Sequence, residues 1–242
     1  ATNTSPASSS NNLYDSRYFV ITDDYNVYKC LRTGRDSSGN VVASTVKPTG
    51  TSTNPFAVAD SSAAAGRGYI WKYMYSVSAS ETIKFVTNDF IPVKTLGAQT
   101  EVNGDLGAFG SAGADDGSTQ YDVETAAVDG GIHHVVVSNG GAGYTNGTYN
   151  NVAVTGDGSG AVVSVVVAGG AVTHVFVNSI GSDEGTGYRR ASINIDDISG
   201  IGTPSTSAIV KPIISPIYGH GANPVEELGG IYVIVNSRLE FA

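Results

Sequence analysis

The stretch that decides the fold is Gly130-Gly131-Ile132-His133-His134-Val135-Val136-Val137, which leads into Gly140-Gly141-Ala142-Gly143-Tyr144. About 40 residues later the pattern returns as Gly169-Gly170-Ala171-Val172-Thr173-His174-Val175-Phe176-Val177, followed by Gly185-Thr186-Gly187-Tyr188. A spacing of this size is typical of one supersecondary unit that is used twice. Each copy is a short Val-rich run between Gly clusters, which predicts β-strands joined by tight turns.

The composition of the whole chain also favours strands over helices. Charged residues make up 14% of the chain, against about 25% in typical globular proteins. Glycine accounts for 31 of the 242 residues, well above its usual share of about 7%. Residues 162–167 are apolar on both faces of a predicted strand, which indicates burial on both sides, as in a sandwich. We therefore expect an all-β fold with at most short helices.

The charge and hydropathy of the chain exclude two classes of partner. The formal net charge is −9 and the sequence pI is about 4.7, and an acidic surface repels the phosphate backbone of nucleic acids. No apolar run reaches the roughly 18–20 residues that a membrane-spanning helix needs. The chain has no initiator Met and ends on a strand-like pattern. We therefore expect no nucleic-acid partner, no membrane span, and an internal portion of a longer protein.

Outside the repeat, local patterns predict several elements. Residues 17–22 and 25–32 are strand-like and flank Asp23-Asp24, which predicts a hairpin. Ser78 and Glu81 have the spacing of a capping box, so we expect a short helix that ends near Val86.

Two further strands are predicted, one over residues 90–93 and one over residues 231–241. Phe90-Ile91-Pro92-Val93 reads as an edge strand or a strand end, because proline cannot donate to a ladder. Residues 231–241 alternate in the manner of a final strand.

An aromatic row is the most distinctive feature of the first half. Residues 69–77 have the period of a strand, and that period places four aromatic side chains on one face. Such a face either packs in a core or against another subunit, or it is exposed and stacks on sugar rings. With Phe90 added, the candidate interface residues are Tyr69, Trp71, Tyr73, Tyr75 and Phe90.

Residues that could carry chemistry do not form a recognisable site. His134 and His174 occupy equivalent repeat positions, but a metal site needs three or four convergent ligands. His133 and His134 are adjacent on a strand and point to opposite faces. The remaining histidine is His220. Acidic pairs such as Glu226-Glu227 fall in predicted turns, where carboxylates bond to local backbone.

Cys30, the single cysteine, is expected to be a buried core thiol, because free cysteines are usually buried and no histidine partner lies nearby in the sequence. We predict no catalytic residue, no metal and no cofactor, and therefore a protein that is not an enzyme.

Three segments carry a resemblance to a known family. They are Gly66-Arg67-Gly68-Tyr69-Ile70-Trp71-Lys72-Tyr73-Met74-Tyr75-Ser76-Val77, Thr87-Asn88-Asp89-Phe90-Ile91-Pro92-Val93 and Val27-Tyr28-Lys29-Cys30-Leu31. Together they resemble the baseplate wedge subunits of contractile-tailed bacteriophages, in particular the type known as gene product eight. The last predicted strand is similar in pattern to a later strand of that family. The resemblance covers residues 17–95 and 225–242, and the motif around Trp71 is its most specific part.

The resemblance implies a layered β-sandwich subunit, a homodimer and contacts with other baseplate wedge proteins, and it implies no catalytic residues. We expect a discontinuous body, residues 1–96 and 215–242, with residues 97–214 inserted as a domain of two β-repeats. The function expected from it is a structural component of the phage tail baseplate, located in the virion and assembled in the host cytoplasm. The alternative is a module of a tail or fibre protein that binds glycan on the host surface.

Overall fold

The structure, a computed structural model, describes residues 18–60, 63–64, 67–93, 118–237 and 239. Over these residues the chain is mainly β, with antiparallel sheets and short helices, as the sequence predicts. The strands are β1 (Phe19–Ile21), β2 (Asn26–Arg32), β3 (Phe56–Ala57), β4 (Ile70–Ser76), β5 (Ile132–Asn139), β6 (Gly147–Ala153), β7 (Thr155–Gly156), β8 (Ser159–Ala168), β9 (Ala171–Phe176), β10 (Glu184–Thr186), β11 (Ala191–Ser192) and β12 (Ile209–Ile214). The helices are α1 (Ala79–Phe85), α2 (Ser118–Thr125) and α3 (Pro224–Glu227).

The first sheet has the strand order β1-β2-β4-β3, and each neighbouring pair is antiparallel. β1 and β2 form the predicted hairpin. Its turn is closed by two hydrogen bonds, from the Tyr25 N–H to the Thr22 carbonyl and from the Thr22 N–H to the Asn26 carbonyl. Tyr25 takes a left-handed conformation, with φ of 60°. The hairpin therefore confirms the prediction made from Asp23-Asp24.

The aromatic row of β4 is divided between two cores. Tyr69, Trp71 and Tyr73 pack in one cluster with Cys30, which is buried as predicted. Tyr75 packs instead with Val27 and Met74 in a second cluster. The pairing of β2 with β4 shifts by one residue at this point, since consecutive residues of β2 pair with Tyr75 and Tyr73. The expectation of four aromatics on one face is therefore wrong for Tyr75, because a register shift breaks the period of two.

Helix α1 begins with the predicted capping box. The Ser78 side chain accepts from the Glu81 N–H at 3.3 Å, and the Glu81 carboxylate accepts from the Ser78 N–H at 2.9 Å. The strand predicted over residues 90–93 is not formed. Thr87 closes a turn instead, because its hydroxyl accepts from the Phe90 N–H and its own N–H donates to the Phe90 carbonyl. The carbonyl of Pro92 is bonded by the Tyr75 hydroxyl rather than by a neighbouring strand.

The predicted final strand is also not formed over the part of it that the structure describes. Residues 231–237 and 239 form no strand, and no backbone–backbone hydrogen bond joins residues 231–237 to the rest of the described chain. Their apolar side chains are open to solvent, and Val233 is 90% exposed. The sequence pattern is that of a strand, but a strand needs a partner edge, and the described residues supply none here.

The repeat region builds its own core from β5 to β12. β8 pairs with β6, β9 and β10, while β12 pairs with β5 and β11 with β7. The side chains of Val163, Val165 and Val167 on β8 are fully buried. Ser164, on the opposite face, is buried too. Val162 and Val166, which share that face with Ser164, are only partly buried. The predicted burial on both faces is therefore confirmed for the face of Val163, Val165 and Val167 and only in part for the other.

The two copies of the repeat dock on each other reciprocally. The Tyr144 N–H donates to the carbonyl of Gly170, which opens the second copy, and the Tyr188 N–H donates to the carbonyl of Gly130, which opens the first. Both tyrosine rings are buried in the same core. The Gly-x-Gly segment before each tyrosine also has the same backbone shape, since both of its glycines have positive φ in both copies. The Gly-x-Gly segment is thus a turn that places the following tyrosine ring in the core.

The outer segments have separate cores. One core cluster contains residues of β2 and β4 together with Val123 of α2, a helix that the sequence analysis did not predict. The other core cluster includes Leu228. The guanidinium of Arg32 joins the first sheet to the repeat region, because it donates to the Gly68 carbonyl at 3.0 Å and to the Val177 carbonyl at 3.5 Å. The predicted lead-in over residues 1–12 and most of the predicted linker over residues 96–120 lie outside the described residues.

Two glycines test how tightly the copies are fitted together. Gly185 and Gly169 have the same φ of 63°, but a Cβ on Gly185 would meet the backbone of Ala161 and Ser159, whereas one on Gly169 meets nothing within 4 Å. An alanine at positive φ costs about 1–2 kcal/mol, and overpacking adds about 1–3 kcal/mol. We expect Gly185→Ala to lower the free energy of unfolding in urea more than Gly169→Ala does. Equal losses would contradict the tight fit.

Candidate functional site

The structure places four of the five candidate interface residues inside the chain. Tyr69, Trp71, Tyr73 and Tyr75 are buried, with Trp71 only 2% exposed. Phe90 is 48% exposed and meets the ring of Tyr232 edge-on, at 6.1 Å between centroids. A sugar ring can stack only on an open aromatic face, and the four buried rings present none to solvent. Their predicted contact with other subunits stays a prediction, and Phe90 is the member of the set that offers surface.

A buried polar cluster lies where the first sheet meets the repeat region. Lys29 of β2 and Lys72 of β4 are directly opposite each other in the sheet, and both side chains are buried. Two like charges at opposed positions repel, and a buried charge is costly unless it is paired. An opposite charge has to lie nearby for this arrangement to be stable.

Glu227 of α3 supplies that charge. One of its oxygens lies 3.1 Å from the Lys29 ammonium and also contacts Nδ1 of His220. The other oxygen accepts from the Gly221 N–H at 2.7 Å. Helix α3 can present this residue because Asn223 caps it: its side-chain oxygen accepts from the Glu226 N–H. Glu226, the other member of the acidic pair, faces solvent. The prediction that the two acids lie in a turn is therefore wrong, because both lie in α3 and the Glu227 carboxylate is buried in an ion pair.

The environment shifts the pKa of both kinds of charge. Burial alone would raise the pKa of Glu227, but attraction to His220 and the hydrogen bond from its ring, together with Lys29 and Gly221, lower it to about 2. Burial lowers the pKa of the Lys72 ammonium to about 8, against a smaller opposing effect of Glu227. Glu227 is thus firmly ionised, whereas Lys72 holds its proton less tightly than an exposed lysine does.

His133 of β5 completes the cluster. Its ring lies 5.3 Å from that of His220, at an interplanar angle of 66°. Burial lowers the pKa of His133 well below the usual value, and the nearby His220 and Lys72 lower it further. Nδ1 of His133 and Nε2 of His220 are buried and have no hydrogen-bond partner in the described part of the chain. The cluster therefore holds two buried imidazole nitrogens whose hydrogen-bonding capacity is unused within the described part of the chain.

His134 points elsewhere, as expected for neighbours on a strand. Burial lowers the pKa of His134 to about 4, with smaller contributions from Arg35 and Arg32. Burial likewise lowers the pKa of His174 to about 3, and Arg67, Arg35, Arg32 and His134 add to the effect. The two equivalent repeat histidines are therefore near each other, but both are uncharged at neutral pH. Among residues 18–60, 63–64, 67–93, 118–237 and 239, no group of three or more His, Cys, Asp or Glu could hold a metal ion.

The sequence contains one signal for this cluster that the pattern analysis did not use. Lys29 and Lys72 each interrupt a strand whose neighbours are apolar or aromatic, and a lysine at such a position needs a buried partner. Finding that partner from the sequence would have required knowing that Glu227, 198 positions away from Lys29, folds back onto the sheet.

A second feature is a surface groove beside residues 228–234. It has a volume of about 810 Å³ and runs between β1, the segment 85–93 and the exposed residues 231–234. Apart from the Phe90–Tyr232 ring contact, Asn236 donates from its side chain to the Lys84 carbonyl at 3.4 Å. Residues 231–237 therefore lie along the body through few polar contacts.

No described helix is both long and apolar enough to cross a membrane. Comparisons of the chain with models of protein families, with curated proteins and with solved structures find no match. The function must therefore be argued from the chain's own residues.

The Glu227 carboxylate can be tested by removing its charge. Glu227→Gln keeps the shape but removes the charge that pairs with the buried Lys29 ammonium, and breaking a buried ion pair costs about 3–5 kcal/mol. We expect this loss in the free energy of unfolding measured in urea. The control is Glu226→Gln on the same helix, whose exposed carboxylate accepts from the Asn223 amide, and for which we expect a smaller change of about 1 kcal/mol or less. If the two variants are equally stable, the cluster does not stabilise the fold.

Acidification should destabilise the protein through its buried histidines. The pKa values of His133, His134 and His174 are lower in the folded chain than the ordinary 6.5. As the pH falls below 6.5, the unfolded chain therefore takes up protons first, and stability is lost. Between pH 7 and pH 5 we expect a loss of about 2 kcal/mol for each histidine that stays neutral when folded. Glu227, with a lowered pKa, adds to the loss only below about pH 4.5.

The measurement is urea unfolding at pH 7.0, 6.0 and 5.0. His174→Phe removes one of these groups, so its stability should depend less steeply on pH than that of the natural chain. Unfolding free energies that are flat between pH 7 and pH 5 would contradict the assignment of neutral, buried histidines.

Proposed function

We propose that this chain is a structural subunit of a phage tail, of the baseplate wedge type, and that it works by burying apolar surface against neighbouring subunits. The observation that carries the proposal is the exposed segment of residues 231–235. Four of its five apolar side chains are at least 74% exposed. An apolar run of this kind, next to a groove of about 810 Å³, is typical of a surface that a partner covers.

The backbone of the same segment favours a particular kind of contact. Its N–H and C=O groups make no backbone hydrogen bonds within the described chain, and its sequence has the pattern of a strand. An extended segment in this state can add to the edge of a sheet in another polypeptide, with main-chain bonds for affinity and alternate side chains for specificity. The predicted final strand would then form in the assembly, with its partner supplied by a neighbour.

The segments that resemble wedge subunits support the proposal from another side. Val27-Tyr28-Lys29-Cys30-Leu31 lies in β2 and the motif around Trp71 lies in β4, so the two are adjacent strands of one sheet. Phe90, from the segment of residues 87–93, lies at the exposed groove beside Tyr232. The resemblance therefore concerns the scaffold of the first sheet and the surface next to residues 231–235. A homodimer and contacts with other wedge proteins are part of the proposal.

The experiment that tests the proposal is a cryo-EM map of an intact tail that contains this chain. We expect density for residues 231–235 paired as a strand with a neighbouring polypeptide in the baseplate. A position at a fibre tip or in the capsid would reject the wedge assignment. A position in the baseplate with residues 231–235 in open solvent would reject the mode of contact.

Charge placed in the segment should block assembly. Val233→Asp with Val235→Asp puts two carboxylates where apolar surface is to be buried, and burial of two valines contributes about 3 kcal/mol or more. We expect association with tails to weaken about 100-fold or more, measured as the fraction of the chain that sediments with them. The control is Ile209→Asp, an exposed apolar residue of β12 outside the groove. Equal incorporation of both variants would contradict the proposed contact.

A further inference from the structure

A cavity opens beside the buried polar cluster, at the junction of the first sheet and the repeat region. Its volume is about 350 Å³, at the small end of the range in which protein ligand pockets fall. Lys72, His133 and His220 line its inner wall, and Ser182, Glu184 and Thr186 of the second repeat copy line another part. The cavity is thus formed jointly by the two parts of the chain.

Lys72 has donor capacity left over. An ammonium carries three N–H donors and no acceptor. Within the described chain its one hydrogen bond goes to the Thr53 carbonyl. Glu227, the carboxylate that attracts it, already accepts from Gly221 and contacts Lys29 and His220. A buried ammonium with unused donors is costly, and an anionic oxygen in the cavity would satisfy it.

The two imidazoles add unused nitrogens on the same wall. His220 is held through Nδ1 by Glu227, so its Nε2 points away from that carboxylate. Nε2 of His220 and Nδ1 of His133 are both buried without a partner in the described part of the chain. Each residue is at least 95% buried. Lys72, His133 and His220 all line the cavity, so a ligand bound there would meet all three residues.

The charges favour an anion with a single negative charge. The Glu227 carboxylate is shared with Lys29 and His220, so it offsets the positive charge of Lys72 only in part. Glu184 also lines the cavity and carries a carboxylate, one oxygen of which accepts from the Gly181 N–H. This second acid would repel a doubly charged phosphate but can accept hydrogen bonds from ligand hydroxyls, as can Ser182 and Thr186. The complementary ligand therefore has a carboxylate at one end and hydroxyl groups at the other.

We infer that this cavity is a binding site for a small hydroxylated carboxylic acid, whose carboxylate is held by Lys72 with His133 and His220. The inference rests on the cavity alone and does not depend on the proposed assembly function. It concerns binding, with no reaction implied.

The test is isothermal titration calorimetry of the full chain at pH 7.0 with four probes: D-glucuronate, D-glucose, acetate and inorganic phosphate. We expect measurable binding of D-glucuronate and at least tenfold weaker binding of the other three. D-glucose lacks the carboxylate, acetate lacks the hydroxyls, and phosphate carries more charge. Failure of D-glucuronate to bind, or equal binding of D-glucose, would overturn the inference. Tighter binding of phosphate than of D-glucuronate would overturn it as well.

Two variants locate the binding. Lys72→Met keeps the aliphatic stem but removes the ammonium, and loss of a hydrogen bond to a charged group weakens binding about 10- to 100-fold. Ser182→Trp fills the cavity from an exposed loop position and leaves the polar cluster intact, so it tests the site even if Lys72→Met does not fold. Lys211→Met, which removes an exposed lysine outside the cavity, is the matched control. Unchanged affinity in Ser182→Trp, or an equal loss in Lys211→Met, would show that D-glucuronate binds elsewhere.

Discussion

The rest of the structure depends on how two lysines are buried on one sheet. Lys29 and Lys72 face each other on adjacent strands, and the Glu227 carboxylate makes that arrangement stable. This carboxylate follows the repeat region in the sequence, so the ion pair also fixes the returning chain against the first sheet. His220 and the Gly221 N–H hold the carboxylate in place. These buried charges stabilise the fold only when all of them are present, because each charge compensates for the desolvation cost of another.

The elements that depend on local chemistry could be predicted from the sequence. The hairpin around Asp23-Asp24, the capping box of Ser78 and the buried run of β8 need only the spacing of neighbouring residues. The predictions from the sequence failed where the structure depends on contacts between distant parts of the chain. Tyr75 does not lie on the same face as the other aromatic residues, because the pairing of β2 with β4 shifts by one residue there. Residues 231–237 have a strand pattern, but a pattern cannot supply the partner edge.

The candidate site shows the same division. The sequence pointed to aromatic residues as a contact surface, since exposed and buried aromatic rows look alike in a period of two. Tyr69, Trp71 and Tyr73 are buried in one core cluster of the first sheet. The polar cluster and its cavity are visible only in three dimensions, because Lys72, His133 and Glu227 come from three separate segments. Interrupting lysines in apolar strands were the available signal, and they identify one half of an ion pair without its partner.

The reciprocal bonds between the two repeat copies make each copy depend on the other. Tyr144 of the first copy closes on Gly170 of the second, and Tyr188 of the second closes on Gly130 of the first. Deletion of either half would leave the tyrosine N–H of the remaining half without its acceptor. The two halves are therefore interdependent, and neither can be removed or exchanged separately without loss of one of these bonds.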